Sequence, residues 1–503
     1  MNKLIRASSI AAVAFVAAGC VVTPPPVALT PRDVPTSFSQ PIASNAPVWP
    51  KPGWWEGFGS SELDSLIVEA HQNNLDLASA VAGVMQARAQ TYISASALFP
   101  SLSASATASR SSTTAQGFNL TRNDFGLSGS ASYEASFWDT LPNLQSAQEA
   151  LKAARFNQQT VALTVTASVA NTYLDVLALR QRETIADQNI QAANRILSIT
   201  EAKVTNGVSS RLDLAQQEAL VNGEKAQVPA LQEQSNEARF ALAVLLGRTP
   251  EGFKVAGQNL DGIKAPTVAP GLPSELLERR PDVAQAEAQL AAAHANVDAA
   301  RNAFFPQINL TASGGYASTA LSSLVNPSNL GFSLGASLVQ SIFSGGRHSG
   351  ELELSKAQQL QLIEAYRGSV LNAFKDVETA LSQVAHYAQE EKYTTAQVKA
   401  AAEAFRISEI QYREGVADLL TVLQSQQTLF SAEDTLVQIK LARIQADIGL
   451  YRALGGGWSE NPADMTQPVA IPANLPKTAA PAVNAAKKAK KDQKNRGILD
   501  WLF

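Results

Sequence analysis

The sequence has few residues of the types that build metal sites and disulfides. Its 503 residues include one cysteine and four histidines. A single cysteine forms no internal disulfide, and cysteine-based zinc or iron–sulfur cages need three or four ligands. Charge is also nearly balanced, with 40 basic and 44 acidic residues and a formal net charge of −4. This argues against a general nucleic-acid binder, which needs a basic surface to displace phosphate counterions.

The one cysteine follows an N-terminal apolar segment. Lys3 and Arg6 precede that segment, which ends in Ala17-Ala18-Gly19-Cys20. This pattern is typical of a secretory signal, and the small residues before Cys20 resemble a bacterial lipobox. We therefore predict that residues 1–19 are a signal peptide, that Cys20 carries an acyl chain such as palmitate, and that residues 20–53 form an extended lipid-anchored tether. The alternative is a buried free thiol left after ordinary cleavage.

Long apolar runs are missing from the rest of the chain. After the signal, no stretch approaches the ~20 continuous apolar residues of a membrane helix. An anchored chain of this kind either rests on the membrane or crosses it as a β-barrel.

The chain repeats itself after about 200 residues. The matching pairs are Phe99-Pro100 with Phe305-Pro306, Ala131-Ser132 with Ala336-Ser337, Gly207-Val208 with Gly415-Val416, and Leu246-Gly247 with Leu454-Gly455. We predict a first structural repeat at 54–250, a linker at 251–272, a second repeat at 273–458, and a Pro/Ala linker with a basic tail at 459–503. Two repeats are too few for a solenoid, so we expect oligomerisation to complete the fold.

Each repeat contains two segments in which apolar and small polar residues alternate. They start near positions 101, 125, 307 and 332, and each has about ten residues, the length of a tilted transmembrane strand. Four strands cannot close a barrel, because the smallest barrels use about eight; three chains would pool twelve. An aromatic girdle is predicted at the strand ends. Its members are Phe99, Phe125, Phe137, Trp138, Phe304, Phe305 and Phe343.

The other segments have helical spacing. We predict one helix over 62–98, ended by Phe99-Pro100, and two long helices over about 143–205 and 349–413. A helix of roughly 65 residues spans about 100 Å. Gly207 and Gly415 break the long helices, and second helices over about 208–246 and 416–454 fold back as hairpins. Their thin, Ala-rich apolar seams favour close helix packing in an aqueous tube.

No candidate active site emerges from the motifs. Gly331 to Gly335 match G-x-S-x-G, but Ser333 lies in the middle of a predicted strand, whereas a nucleophile elbow needs a strand-to-helix turn. The four histidines have no ligand-like spacing. We therefore predict no enzyme activity, no metal and no cofactor.

Several motifs together resemble the outer-membrane efflux protein family. They are ELLERRPDVAQAE from Glu275 to Glu287, AFFPQINLT from Ala303 to Thr311, FSGGR from Phe343 to Arg347, and GVSSRLD from Gly207 to Asp213. The resemblance covers about residues 54–458 and is to the lipoprotein branch, the NodT-like and OprM-like relatives of TolC.

This resemblance implies a fold and a function. The expected fold is an α+β membrane protein, a homotrimer whose twelve-stranded outer-membrane β-barrel continues into an α-helical coiled-coil periplasmic tunnel. The expected function is the exit duct of a tripartite efflux pump, which passively conducts small toxic compounds. Its expected partners are a periplasmic adaptor (membrane fusion) protein, an inner-membrane RND-type pump and outer-membrane lipid, without nucleic acid.

The resemblance also implies a gate at the periplasmic tip. In TolC-like channels, polar contacts between helical hairpins latch the closed tip, and a carboxylate ring narrows it. Tyr412 matches the latch tyrosine, and Asp213 matches its first-repeat carboxylate. The latch arginine position holds Ala417, and the ring positions hold Thr421 and Gln424.

Two roles remain open for Asp418, which lies at this tip. Asp418 is the nearest remaining acid, and it is predicted to form a charged ring, to cap the following helix, or both.

The adaptor is expected to dock at the turns around Gly207, Val208, Gly415 and Val416.

Two alternatives to small-molecule efflux are an outer-membrane channel for type I protein secretion and a non-channel coiled-coil lipoprotein scaffold. The four membrane-length strands oppose the scaffold. The basic tail has no counterpart in the family pattern; we hypothesise that it contacts an anionic cell-wall polymer or a periplasmic partner.

Overall fold

The computed structural model describes residues 34–39, 48–115, 118–264, 266 and 268–458. Cys20, the predicted signal peptide and the predicted tail at 459–503 lie outside these residues, as does most of the predicted tether. The described part consists of one antiparallel sheet and a set of long helices.

The sheet contains the four predicted strands. They are β1 (Ser101–Ala115), β2 (Phe118–Glu134), β3 (Gln307–Ser318) and β4 (Leu330–Val339), in the order β1-β2-β3-β4. The register sets Ser130 opposite both Ser103 and Ser313, and Ser333 opposite Ser313. Small polar residues therefore share one face of all four strands, and apolar residues share the other.

The first two strands are longer than predicted, with 15 and 17 residues. Pairing of β2 with β3 ends at Phe125 and Ser318, so the β1–β2 hairpin continues beyond the rest of the sheet. Phe125 was predicted at a strand end; in β2 it lies inside the strand, opposite Ala108. The prediction stopped too early because the sequence between Ser109 and Asp124 no longer alternates, although the backbone ladder continues.

The helices are named in chain order. They are α1 (Ser61–Asn73), α2 (Leu75–Ser96), α3 (Phe137–Thr205), α4 (Arg211–Leu245), α5 (Pro273–Leu276), α6 (Pro281–Asn302), α7 (Arg347–Arg413) and α8 (Leu419–Ala453). Short 3-10 turns lie at Trp54–Phe58, Leu321–Ser323 and Pro327–Asn329. With 69 and 67 residues, α3 and α7 each reach about 100 Å.

The single helix predicted over 62–98 is wrong at Asn74. Its backbone is extended, its side chain accepts from the Leu77 N–H at 3.0 Å, and its amide donates to the Leu245 carbonyl at 2.8 Å. Asn74 therefore caps α2 and ties this break to the end of α4.

The long helices form two hairpins, α3 with α4 (hairpin 1) and α7 with α8 (hairpin 2), and α3 also packs against α2, α6 and α8. The main core lies around Leu174, Leu177, Leu381 and Ile448. By length and mean hydropathy, α3 is the one helix in the described ranges able to cross a membrane, but 56% of its most apolar window is buried. We assign that window to the helical core.

The described part of the predicted tether lies against the helices. Val34 and Phe38 pack on the main core, and the Ser39 N–H donates to a Glu378 carboxylate oxygen at 2.9 Å. Further along, the Trp54 ring stacks on Tyr451 with centroids 5.0 Å apart. The tether thus contacts the helical core and α7, and Trp54, the residue that follows it, packs on α8.

Candidate functional site: a two-faced sheet and a helical tip

The two faces of the sheet differ sharply in chemistry. On one face, hydroxyl groups pair across strands: Ser103 with Ser130 at 2.7 Å, Ser105 with Ser128 at 2.9 Å, and Ser313 with Ser333 at 2.8 Å. Ser333 is thus part of a hydroxyl ladder. On the other face, Phe332 and Leu334 are 84% and 79% exposed. Large exposed apolar side chains alternating with small polar ones fit strands that face lipid outside and water inside.

A buried serine joins the sheet to the helices. Ser136, which lies between β2 and α3, is fully buried, and its hydroxyl accepts the Ile308 N–H at 3.0 Å. The Ala135 N–H also donates to the Ile308 carbonyl at 2.8 Å. These bonds fix the start of α3 to β3. Sequence reasoning missed Ser136 because its partner comes from the second repeat.

At the opposite end of the long helices, both hairpins turn in the same way. Gly207 and Gly415 have φ of 73° and 81°, in the left-handed region. The following N–H groups close the helix ends, from Val208 to the Lys203 carbonyl at 2.9 Å and from Val416 to the Gln411 carbonyl at 2.7 Å. Both valines protrude, at 73% and 77% exposed. The tip therefore presents two similar apolar knobs per chain.

An acidic residue begins each returning helix. Asp213 forms a capping box with Ser210, accepting its N–H at 2.9 Å, and also accepts the Ser209 hydroxyl at 2.6 Å. The hydrogen bonds from Ser209 and Ser210 lower the pKa of Asp213. Its side chain is thus occupied by its own helix start.

In the second hairpin Asp418 holds the N-cap position that Ser210 holds in the first. As N-cap of α8 it accepts the Thr421 N–H at 2.9 Å and the Thr421 hydroxyl at 2.7 Å. These bonds lower the pKa of Asp418, whereas the nearby charge of Asp213 acts on it in the opposite direction. Thr421 and Gln424 are both exposed on α8. The capping role considered for Asp418 is therefore present, and the two acids lie within electrostatic range.

Tyr412 lies between the hairpins but does not contact Asp213 in this chain. It is 3% exposed, and its hydroxyl shares a 3.0 Å hydrogen bond with Thr200 of α3. Lys203 donates to the Tyr412 carbonyl and lies over its ring, with Nζ 4.3 Å from the centroid. Sequence reasoning missed Thr200 and Lys203; their spacing of three, which places them on one face of α3, was the only local signal.

A sheet with a lipid face and a hydroxyl face, continued by helices of about 100 Å, defines an outer-membrane channel with a helical tunnel. The chain belongs to the outer membrane efflux protein family, whose sequence model matches residues 66–248 and 272–456. This double match confirms the internal repeat. The family consists of non-enzymatic channels, which confirms the prediction of no enzyme activity and the outer-membrane location with a periplasmic helical extension.

Known relatives and solved structures agree with this assignment. The chain is 42% identical to the pyoverdine export outer membrane protein OpmQ of Pseudomonas aeruginosa over 419 residues, which cover 81% of this chain and 88% of OpmQ. It is 30% identical to the cation efflux system protein CusC of Escherichia coli K12 over 438 residues, 84% of this chain and 93% of CusC.

Two solved channels illustrate the shared fold. The outer-membrane channel OprN has a TM-score of 0.79 at 27% identity, covering 87% of this chain and 100% of OprN. The open state of the MtrE outer membrane channel of Neisseria gonorrhoeae has a TM-score of 0.75 at 30% identity, covering 87% of this chain and 98% of MtrE. The predicted fold class is confirmed: a trimeric channel with four strands per chain and a long helical domain.

Proposed function

We propose that this outer-membrane efflux channel is the passive exit duct of a tripartite pump and that it opens at its helical tip. The observation that carries the proposal is the buried contact of Tyr412 with Thr200 and Lys203, which joins hairpin 1 to hairpin 2 beside the turns. At the other end, continuous backbone ladders hold the strands in register. Movement is therefore easier at the tip than in the sheet.

The tip turns are the proposed docking surface for a periplasmic adaptor, with an inner-membrane RND-type pump behind it. Gly207 and Gly415 shape the two turns, and Val208 and Val416 project from them. Leu212 and Leu420, one position beyond the start of each returning helix, are also exposed. Exposed apolar side chains at equivalent places in both repeats support a partner that binds the two turns alike.

Asp418 and Asp213 are the proposed source of charge at the mouth. Both are ionised well into the acid range because hydrogen bonds lower the pKa of each. A threefold assembly repeats these acids around one axis, which gives a negative ring that favours cations. Capping and ring formation are compatible, since the cap uses only part of each carboxylate's accepting capacity.

The cargo is proposed to be small molecules. The names of the relatives include pyoverdine export for OpmQ, cation efflux for CusC and toluene efflux for TtgC of Pseudomonas putida. Because one channel family serves such different compounds, the pump is expected to select the cargo. The identity with OpmQ makes pyoverdine the first compound to test.

Acylation at Cys20 is a separate proposal that rests on the sequence Ala17-Ala18-Gly19-Cys20. Cells fed labelled palmitate should label the wild-type chain and leave Cys20→Ser unlabelled. A labelled Cys20→Ser chain would rule out this site of attachment.

The gate is tested by recording single trimers in planar lipid bilayers. Wild-type trimers should conduct poorly, whereas Thr200→Val and Tyr412→Leu trimers should conduct several-fold more. A deletion strain should become sensitive to toxic compounds, and adaptor and pump should co-purify with the wild type. Unchanged compound sensitivity with loss of a secreted protein would instead favour the type I secretion channel.

A further inference from the structure

We propose that Lys203 is a positioning residue of the closed tip: its ammonium group, carried by α3, holds the last turn of α7 in place through Tyr412. The inference rests on the proposed gate and names the cation that acts in it. Lys203 is half-buried two residues before the end of α3, and Tyr412 is next to the end of α7.

Three features of Tyr412 meet this one ammonium group. Nζ lies 4.3 Å from the centroid of the phenol ring, in cation–π range. It also donates to the Tyr412 carbonyl, which accepts the Gly415 N–H at 3.1 Å as well. That carbonyl belongs to the last turn of α7, where the helix dipole is negative and favours a cation. None of these contacts involves a carboxylate, so each depends on the positive charge of Lys203 and on the length of its side chain.

A second contact between the same helices is weaker. Arg195 of α3 and Glu409 of α7 are 3.9 Å apart, and the arginine side chain is more than half exposed. Exposed pairs of this kind contribute little to stability. Lys203 is half-buried and its charged group donates to a helix-terminal carbonyl, so we expect its contact to be the stronger of the two.

The second repeat does not build the same link. At the 208-residue spacing that relates Gly207 to Gly415, Thr200 corresponds to Ser408 and Lys203 corresponds to Gln411. Ser408 is buried, but its hydroxyl bonds Ser425 at 2.6 Å, within hairpin 2. Positions 200 and 203 therefore reach across to the other hairpin, whereas their counterparts do not. This asymmetry makes Lys203 specific for holding hairpin 2 against hairpin 1 of its own chain.

The test compares purified full-length trimers in planar lipid bilayers. Lys203→Met keeps an unbranched side chain only one heavy atom shorter than lysine and removes its charge, and should raise the open probability roughly tenfold. Lys203→Arg keeps a cation that stacks on the ring and should restore values near wild type. Arg406→Met is the matched control: it removes a positive charge from α7, but Arg406 is exposed and bonds only Glu403, one turn earlier in its own helix.

The coupling is measured by combining Lys203→Met with Tyr412→Leu. If Lys203 acts through Tyr412, the double variant should open little more than Tyr412→Leu alone. Thermal dissociation of the trimers should be the same in all variants, because the tip lies far from the main core.

Two results would overturn the role of Lys203. One is wild-type conductance in Lys203→Met trimers while Tyr412→Leu trimers open. This result would mean that the gate exists but does not depend on Lys203. The other is an equal rise in the open probability of Arg406→Met trimers. This result would mean that loss of a positive charge at either position has the same effect. If no tip variant opens, Tyr412→Leu included, the proposed gate itself fails.

Discussion

The hydroxyl groups of Thr200 and Tyr412 lie 3.0 Å apart although 212 residues separate them in the chain. Thr200 belongs to hairpin 1 and Tyr412 to hairpin 2, and both side chains are buried. A buried hydrogen bond between two elements stabilises their contact. Opening of the tip leaves both hydroxyl groups exposed to water or without a hydrogen-bond partner. This pair therefore marks where the two hairpins separate if the tip opens.

The first prediction concerns the turn at Gly415. Its φ of +81° is unfavourable for residues with a side chain, yet an added Cβ would meet nothing within 4 Å. Gly415→Val should abolish efflux, since backbone strain of about 1–2 kcal/mol distorts the turn. Gly415→Asn, which tolerates this conformation, should retain most efflux. Dye efflux from complemented cells measures both, and intact trimers on gels serve as the control.

Gly207 has the same geometry and should respond in the same way. Undiminished efflux in both valine variants would contradict the role assigned to the turns.

The second prediction separates the two roles of Asp418. Asp418→Asn keeps a good N-cap but removes the charge, so it should lower cation selectivity at unchanged thermal stability. Asp418→Ala should lower both, with a cap loss of about 1 kcal/mol. Reversal potentials in a salt gradient measure selectivity, and retained selectivity in the asparagine variant would exclude Asp418 as a source of the charge at the mouth.

Selectivity should also depend on pH in a defined direction. The Thr421 hydrogen bonds lower the pKa of Asp418 below its ordinary value of 3.8. The charge is therefore present above that value and is lost only as pH falls through the lowered pKa. Wild-type selectivity should be flat from neutral pH to about pH 5.

The third prediction uses the alternation of β4. Leu334 points to the exposed apolar face, and its neighbour Ser333 pairs with Ser313 on the hydroxyl face. Leu334→Arg should block membrane assembly, because arginine facing lipid costs about 2–4 kcal/mol in each chain. Ser333→Arg should assemble normally and change conductance. Membrane fractionation measures how much of each variant assembles in the membrane. Equal assembly of the two variants would contradict the assignment of Leu334 to the lipid face and Ser333 to the hydroxyl face.

The fourth prediction concerns Asp447 in α8. Burial raises its pKa to about 7, with Arg443 acting weakly in the opposite direction. A raised pKa in the folded state means that stability is fully present below the unfolded value of 3.8 and is lost as pH rises through about 7. Asp447→Asn should remove this loss, with a gain of up to about 4 kcal/mol at pH 8.

The measurement is thermal unfolding of the helical domain by circular dichroism at pH 5 and pH 8. The gain in melting temperature from Asp447→Asn should be clearly smaller at pH 5, where the loss is only partly complete, than at pH 8. A constant difference at both pH values would mean that Asp447 does not titrate in this range.

The repeating local patterns in the sequence were sufficient to predict most of the fold. Strict alternation in residues 101–109 and the breaks at Gly207 and Gly415 fixed the strands and hairpins, since both depend on neighbours in the chain. The helix break at Asn74 was missed because tertiary contact with Leu245 accompanies its cap. The far end of the β1–β2 hairpin was missed because backbone pairing continues there although apolar and polar residues no longer alternate.

The candidate site was only partly predictable. Tyr412 and Asp213 were predicted from the family resemblance, and Asp418 as the nearest remaining acid. The roles of Thr200 and Lys203 depend on a partner more than 200 residues away in the chain. The attachment of Ser39 to Glu378 spans 339 positions and was equally invisible. Contacts of this kind depend on how helices from different repeats pack, which a single sequence does not reveal.

The central claim is that the tip opens when the hairpins separate at residues 200 and 412. The most direct measurement is bilayer conductance of a Thr200→Cys, Tyr412→Cys trimer before and after reaction with a short cleavable bifunctional thiol reagent. We expect high conductance before the reaction, a fall to the wild-type level once the hairpins are joined, and recovery after cleavage of the reagent. Equal conductance in the joined and separated states would contradict it.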